Sequence, residues 1–149
     1  MDSSIQFRHT LPIQIRFNDI DTQGHVNNTV YFSFYDLGKT TYFQAVSRSD
    51  TFMQDVGVVI AHAEVDFLLP IRPEEHIAVR TTVSEIGHKS FTLVQQVVNS
   101  DTFQVKCVCT SIMVAFDVKT QQAVPIPESW INDFCTYEGR DLRRKLHQE

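Results

Sequence analysis

The chain has 149 residues, of which 42% are apolar and 11% aromatic, which is enough for the core of one compact domain and too apolar for a disordered chain. A formal net charge of -5 provides no basic field for phosphates, which argues against nucleic acid as a partner. The N-terminus carries no secretory signal, and no run of about 18 apolar residues is long enough to span a membrane. We therefore expect a soluble cytoplasmic protein without membrane contact.

A first β-strand is predicted near the start of the chain. Ile13, Ile15 and Phe17 alternate with polar residues and share one face of an extended segment. This alternation is typical of a strand that buries one face and exposes the other.

A helix is predicted from Asn28 to about Val46, where apolar residues follow the helical period. They cover nearly every side, so the helix should be buried. Asp36 and Lys39 interrupt the apolar run, which argues against a membrane span. Gly38 in the helix interior costs roughly 1 kcal/mol relative to Ala. We therefore expect Gly38 to allow close contact with a sheet.

The next segment of the chain is predicted to form four long antiparallel strands. Their ranges are residues 58–68, 76–86, 90–99 and 104–118. The economical arrangement is an α+β fold with a curved antiparallel sheet wrapped around the long buried helix, in a single domain that spans residues 1–149. Long strands with one polar face suit pairing across a two-fold axis, so a homodimer or homotetramer is expected.

Two sets of potential metal ligands are better explained as parts of strands. Cys107 and Cys109 lie two residues apart in an apolar segment, which places both thiols on one buried face. His62, Glu64 and Asp66 have the same spacing and fit the polar face of a strand. We predict no metal site and no bound cofactor.

The loop between the first strand and the helix carries the candidate catalytic groups. Asp21 and His25 lie in the loop, and Gly24 can adopt backbone angles that other residues resist. Asn27 and Asn28 are candidate N-caps of the helix. An elaborate helix cap and a catalytic site are both consistent with this local pattern.

The start of a buried helix adds a chemical argument. Its first backbone N–H groups lack intrahelical partners and carry partial positive charge, so they can polarise a carbonyl oxygen. Asp21 could act beside that carbonyl as nucleophile or general base, and His25 could orient the substrate or carry a proton. The arrangement fits acyl transfer.

The segment RFNDIDTQGHVNNTVYF resembles the hotdog-fold thioesterases of the 4-hydroxybenzoyl-CoA thioesterase type. Their signature has the form D-x-D-x-x-G-H-V-N-N-x-x-Y. The match is without gaps at Asp19, Asp21, Gly24, His25, Val26, Asn27, Asn28 and Tyr31. A looser resemblance extends over about residues 11–127.

The resemblance implies a hotdog fold and hydrolysis of acyl-CoA to the free acid and coenzyme A. The catalytic carboxylate of the family matches Asp21, and the backbone N–H that polarises the thioester carbonyl matches Asn28. Related plant acyl-carrier-protein thioesterases have an Asn where this chain has Gln23, so no catalytic role is assigned to Gln23. Asp19 is expected to bond to the loop backbone.

The resemblance also indicates where the two ends of the substrate bind. Gly24, Asn27 and Tyr31 belong to the matched motif and are candidate substrate-binding residues. Arg72, Lys89 and Ser90 are candidates for the coenzyme A arm, although each could equally be a solvated surface residue. The acyl tunnel is expected between helix and sheet, where its lining residues would be Tyr31, Phe34, Tyr35 and Phe67.

Two alternatives remain open from the sequence. The first alternative is an acyl-carrier-protein thioesterase, which needs a basic docking patch for its acidic partner. The only basic cluster in the sequence is C-terminal and is predicted to be a solvated helical tail; it consists of Arg140, Arg143, Arg144 and Lys145. The same fold can also serve as a non-catalytic acyl-CoA-binding protein. A hotdog dehydratase fits the motif less well.

Overall fold

The computed structural model describes residues 5–48 and 52–145, which form one antiparallel sheet and two α-helices. The elements in chain order are β1 (His9–Ile13), a 3-10 turn (Phe17–Asp19), α1 (Val30–Val46), β2 (Val56–Phe67), β3 (Ile77–Ile86), β4 (Ser90–Asn99), β5 (Val105–Asp117) and α2 (Glu128–Glu138). The strand order in the sheet is β1-β3-β4-β5-β2, so β1 and β2 are the edges. This arrangement confirms the predicted sheet around a helix. None of the helices in the described ranges has the length and hydropathy needed to cross a membrane.

Helix α1 lies against the sheet at a glycine, as predicted. A Cβ atom added to Gly38 would lie 2.5 Å from Cγ1 of Val79 on β3. The prediction that the helix is buried on nearly every side is wrong for the single chain, because Phe32 is 49% exposed and Leu37 is 54% exposed. One apolar face of α1 is therefore left uncovered by this chain.

The first strand ends earlier than its alternating pattern predicts. β1 stops at Ile13, so Ile15 and Phe17 lie outside it, and Phe17 is 94% exposed. The carboxylate of Asp19 accepts hydrogen bonds from the backbone N–H of Arg16 at 2.8 Å and from its guanidinium at 3.1 Å. These bonds fold the chain into the 3-10 turn, which confirms the structural role expected for Asp19.

A β-bulge interrupts the regular alternation of faces along β2. The pairing of β2 with β5 shifts register between Ile60 and His62. Val59 pairs with Val114 and Val65 pairs with Cys109, so the two valines lie on opposite faces, although their even spacing would place both on one face of a regular strand. The extra residue of a bulge reverses which face each following side chain occupies.

Two buried clusters fill the space between the sheet and the helices. The front cluster, around the N-terminal half of α1, contains Val26, Tyr31, Phe34, Tyr35, Ile71, Ile77, Val79, Val97, Cys107 and Cys109. The rear cluster contains Tyr42, Val46, Val83, Ile86, Phe91, Leu93, Met113, Ala115, Ile126, Trp130, Phe134 and Leu142. Both cysteines on β5 are free and buried, as predicted, and burial raises the pKa of the Cys107 thiol to about 11.

The C-terminal part of the chain forms a helix where the sequence analysis predicts none. α2 ends at Gly139, whose φ of 72° is left-handed and terminates the helix. The predicted helical tail over residues 140–145 is wrong, because Leu142 is 2% exposed and Arg143 forms a bridge with Ile86 at the end of β3.

Candidate active site

The loop between β1 and α1 is a small hairpin that places Asp21 opposite His25. Ile20 and Val26 form an antiparallel bridge at its base. The N–H of Asp21 donates to the carbonyl of His25 at 3.0 Å, and the N–H of Gly24 donates to the carbonyl of Asp21 at 3.0 Å. Gly24 has a φ of 79°, which side chains disfavour, so a glycine at this position closes the hairpin without strain.

Two hydrogen bonds fix this hairpin to the rest of the fold. The N–H of Val26 donates to the carbonyl of Ile71 at 2.9 Å, and the N–H of Asn27 donates to the carbonyl of Asp19 at 2.8 Å. Asp19 is itself 1% exposed and held by Arg16. The hairpin is therefore attached both to the 3-10 turn and to the segment that follows β2.

A cavity of about 290 Å³ opens beside the hairpin and brings the three predicted catalytic residues together. Asp21, His25 and Asn28 line it, together with Gln23. The opposite wall is the apolar end of β2 and the residues after it, from position 67 to position 70. The site thus combines a polar side, supplied by the motif, with an apolar side.

The Asp21 carboxylate is held by its own loop. Its Oδ1 accepts a hydrogen bond from the N–H of Gln23 at 2.9 Å, while the side chain remains only partly buried. In the described ranges no group donates a hydrogen bond to Oδ2 of Asp21. One carboxylate oxygen is thus oriented by the loop and the other is left for a molecule in the cavity.

Helix α1 starts later than the predicted caps. It begins at Val30 with Thr29 as its N-cap, so the assignment of Asn27 or Asn28 as the N-cap is wrong by one or two residues. The Oδ1 of Asn27 instead accepts hydrogen bonds from the N–H of Thr29 at 2.9 Å and from its hydroxyl at 2.8 Å. This side chain therefore stabilises the turn that leads into the helix.

The backbone N–H of Asn28 lies in that turn, just before α1. The carbonyl of the preceding residue, Asn27, accepts a hydrogen bond from Val30 at 2.9 Å, whereas the N–H of Asn28 has no acceptor within residues 5–48 and 52–145. An unpaired N–H at the start of a helix is a suitable donor to a carbonyl oxygen.

The other candidate binding residues divide into two groups. Tyr31 lines the cavity, whereas Gly24 and Asn27 shape the loop and are not part of the cavity wall. Arg72 is exposed just beyond the apolar wall, and its backbone N–H donates to the carboxylate of Glu75 at 2.7 Å. These positions keep Tyr31 and Arg72 as candidates for contact with a bound substrate.

Lys89 and Ser90 lie at the other end of the chain's fold. Lys89 is in the turn between β3 and β4, and Ser90 is the first residue of β4. The carbonyl of Lys89 accepts a hydrogen bond from the N–H of Ala115 at 3.0 Å. Ala115 is part of the rear cluster, whereas the cavity adjoins the front cluster. Within one chain, the two residues are therefore not brought to Asp21.

A buried ion pair that the sequence analysis missed supports the apolar wall. Lys106 on β5 lies 2.7 Å from the carboxylate of Glu75 and donates to the carbonyl of Pro70 at 3.2 Å. Its own carbonyl accepts hydrogen bonds from Leu68 and Leu69 at 2.9 and 3.0 Å. A lysine within the otherwise apolar start of β5 was the available sequence signal.

Metal ligands are not gathered in the described part of the fold. Residues 5–48 and 52–145 contain no group of three or more His, Cys, Asp and Glu side chains placed to hold an ion. His62 and Glu64 lie on the exposed face of β2, where they contact each other at 3.2 Å.

Sequence comparison assigns this chain to a family. The sequence profile of the thioesterase-like superfamily matches residues 15–134. The chain belongs to this superfamily. The assignment identifies the protein as an enzyme of the thioesterase class. The matched range of this thioesterase-like chain contains the hairpin, α1 and the whole apolar wall of the cavity.

Individual relatives agree with the assignment. The long-chain acyl-CoA thioesterase FadM of Escherichia coli is 24% identical over 140 residues, which cover 91% of this chain and 95% of FadM. YsmA of Bacillus subtilis, which is uncharacterised, is 27% identical over 81 residues, and the match spans about half of its length (54%). A crystal structure of a Thermus thermophilus thioesterase complexed with coenzyme A and Zn superposes with a TM-score of 0.78 at 28% identity, covering 90% of this chain and 96% of that one.

Proposed function

We propose that this thioesterase-like protein hydrolyses acyl-CoA thioesters to a free acid and coenzyme A. The observation that carries the proposal is that Asp21 and Asn28 line the same cavity, and that the N–H of Asn28 has no hydrogen-bond acceptor in the described ranges. A thioester carbonyl between them would direct its oxygen to the N–H and its carbon to the carboxylate. The N–H and the helix dipole would then stabilise the negative charge that develops on the oxygen.

Asp21 can promote hydrolysis by either of two routes. As a nucleophile, its carboxylate attacks the carbonyl carbon, coenzyme A leaves as a thiolate, and water then cleaves the acyl-Asp21 anhydride. As a general base, Asp21 removes a proton from the attacking water, and the departing thiolate takes up a proton. His25 lies across the hairpin and can hold or deliver that proton. Neither route requires a metal or a cofactor.

The coenzyme A arm is proposed to bind between two copies of the chain. β2 is an edge strand, and its residues 59–64 are exposed. Antiparallel pairing of β2 across a two-fold axis would place the Phe67 end of one strand beside the Val56 end of the other. The turn that carries Lys89 of the partner subunit would then approach the cavity mouth, where Arg72 is already exposed. Light scattering of the protein in solution tests the homodimer or homotetramer that this proposal needs.

Acyl-CoA is a better candidate substrate than an acyl carrier protein. Two of the four cations in the C-terminal cluster are already paired, since Arg143 contacts Asp141 at 3.0 Å and Arg144 contacts Glu85. Such pairs leave little free positive charge for docking an acidic carrier. Assays with the same acyl group on coenzyme A and on a carrier protein distinguish the two substrates.

The decisive experiment is removal of the Asp21 carboxylate. Asp21→Asn and Asp21→Ala are expected to reduce the rate of free thiol release by roughly 100- to 10,000-fold, because general-base catalysis contributes on that scale. Asp101→Asn is the matched control, since Asp101 is an exposed carboxylate that pairs with His76 at the surface. A folded Asp21→Ala protein with undiminished activity would rule out the proposed mechanism.

A further inference from the structure

Two aromatic rings line the candidate active-site cavity where the helix meets the edge strand. Tyr31 is in the first turn of α1, and Phe67 is the last residue of β2. Their ring centroids lie 5.2 Å apart with an interplanar angle of 31°. Both residues line the cavity, but Tyr31 is only 3% exposed whereas Phe67 is 47% exposed. Their contact therefore joins the helix to the edge strand at the cavity wall.

The space behind the two rings is filled by the front cluster. The ring of Phe34 packs edge-on against Tyr31 with centroids 6.2 Å apart. Tyr35, one turn further along α1, is 3% exposed, and Cys107 on β5 is 0% exposed. An acyl chain longer than the cavity therefore has to displace tightly packed side chains in order to continue between helix and sheet. The expected tunnel between α1 and the sheet is blocked at Tyr31.

The cavity beside Asp21 has a volume of about 290 Å³. A thioester carbonyl held between Asp21 and Asn28 would direct its acyl group along this cavity toward the two rings. A short alkyl chain or a single aromatic ring would reach Tyr31 and Phe67 without displacing the packed side chains behind Tyr31.

We propose that Tyr31 and Phe67 form a wall that restricts the substrate to thioesters of short-chain or single-ring acyl groups. This inference rests on the proposed function, because Asp21 and Asn28 determine where the carbonyl lies and hence how much of the cavity remains. Phe67 is the more accessible half of the wall. It can be shortened without opening a hole in the buried core, since nearly half of its surface already faces solvent.

The test is the chain-length profile of thiol release, measured as kcat/KM for acyl-CoA substrates from acetyl to palmitoyl and for benzoyl-CoA. For the wild-type protein, kcat/KM should be highest for short acyl groups and for benzoyl, and should fall as the acyl chain lengthens. In Phe67→Ala, the ratio of kcat/KM for dodecanoyl-CoA to that for hexanoyl-CoA should rise at least about ten-fold, since even one methylene in an apolar pocket changes discrimination by that factor.

Two further variants make the result specific. Phe67→Leu, which removes less of the side chain, should raise the same ratio by a smaller factor and serves if Phe67→Ala folds poorly. Phe32→Ala is the matched control, because Phe32 is the next residue of α1 after Tyr31, is 49% exposed and does not line the cavity. Its ratio should equal that of the wild type. A ratio within one variant does not depend on how much of the protein is active.

The possible outcomes distinguish a failure of the wall proposal from a failure of the proposed function. If the wild type hydrolyses palmitoyl-CoA as efficiently as hexanoyl-CoA, or if both Phe67 variants keep the wild-type profile, the wall does not limit chain length although the protein is a thioesterase. If the wild type releases thiol from no acyl-CoA in the series, the proposed function itself is wrong and the inference fails with it.

Discussion

Lys106 and Glu75 form a buried ion pair that supports the apolar wall of the candidate active site. Their side chains are 7% and 15% exposed, and the ammonium group lies 2.7 Å from the carboxylate. The same carboxylate accepts hydrogen bonds from the side chain of Asn99 at 2.8 Å and from the N–H of Arg72 at 2.7 Å. Because Lys106 also donates a hydrogen bond to the carbonyl of Pro70, the pair connects β5 and the turn before β3 to the segment that faces Asp21.

Removal of Lys106 alone is expected to destabilise the fold. Lys106→Met leaves the carboxylate of Glu75 buried without its cation, and loss of one partner of such a pair typically costs about 3–5 kcal/mol. Urea denaturation measures the change in the free energy of unfolding. The double variant Lys106→Met with Glu75→Gln should recover part of the loss, and Lys119→Met, at an exposed lysine, is the control. Equal stability of Lys106→Met and the wild type would contradict the role assigned to the pair.

The pH dependence of stability should reflect Glu75. Burial opposes ionisation of this carboxyl, but its hydrogen bonds to Lys106, Arg72 and Asn99 outweigh burial and lower its pKa. A carboxyl whose pKa is lower in the folded state contributes stability above its unfolded value of about 4.3, and this contribution is lost as the pH falls through the folded pKa. We expect the free energy of unfolding to fall in acid more steeply for the wild type than for Glu75→Gln.

Glu138 at the end of α2 should have the opposite effect. Burial raises the pKa of this carboxyl, although the hydroxyl of Tyr42 donates a hydrogen bond to it at 2.6 Å. A raised pKa in the folded state favours the protonated form, so its contribution is present below about pH 4.3 and is lost as the pH rises through the folded pKa. Relative to the wild type, Glu138→Gln should therefore gain stability between acid and neutral pH. Unfolding curves at both values provide the measurement, and a difference that does not change with pH would contradict this sign.

Much of the fold could be predicted because its patterns are local. The helical period of α1 and the alternation in β3 to β5 depend on residues that are close together in the sequence. Both patterns can therefore be read from the sequence directly. The bulge in β2 is different, because one extra residue between Ile60 and His62 leaves no compositional mark. The helix α2 had a readable pattern, with Trp130 and Phe134 four residues apart and Gly139 after the last turn, and was missed.

The candidate active site also has one part that local sequence predicts and another part that it does not. Asp21, His25 and Asn28 are close in sequence, so their common location could be predicted from the loop that carries them. The wall at residues 67–70 belongs to the site only because β2 ends beside the start of α1. Lys106, which supports this wall, lies more than thirty positions after its partner Glu75 in the sequence. No local pattern encodes such a pair.

Gly38→Ala is expected to destabilise the protein even though Ala favours a helix. The substitution gains about 1 kcal/mol of helix propensity. The new Cβ would meet Val79 Cγ1 at 2.5 Å, and overpacking of this kind costs typically about 1–3 kcal/mol. The net loss should therefore be of order 1 kcal/mol, measured by thermal or urea denaturation. Combination with Val79→Ala should relieve the clash, and Gly38→Ala should be tolerated better in that background.

Gly24→Ala tests whether the hairpin geometry matters for catalysis. A Cβ at this position would have no atom within 4 Å, so the substitution adds backbone strain at a φ of 79° but no clash. The strain is worth roughly 1–2 kcal/mol, and relaxation of the hairpin would move Asp21 relative to Asn28. A displacement of about 1 Å can reduce turnover roughly 100-fold, so kcat should fall far more than stability does. Gly24→Asn should restore much of the rate, because Asn tolerates left-handed backbone angles. If Gly24→Ala and Gly24→Asn release thiol at the wild-type rate, the orientation of Asp21 by this turn is not required for hydrolysis.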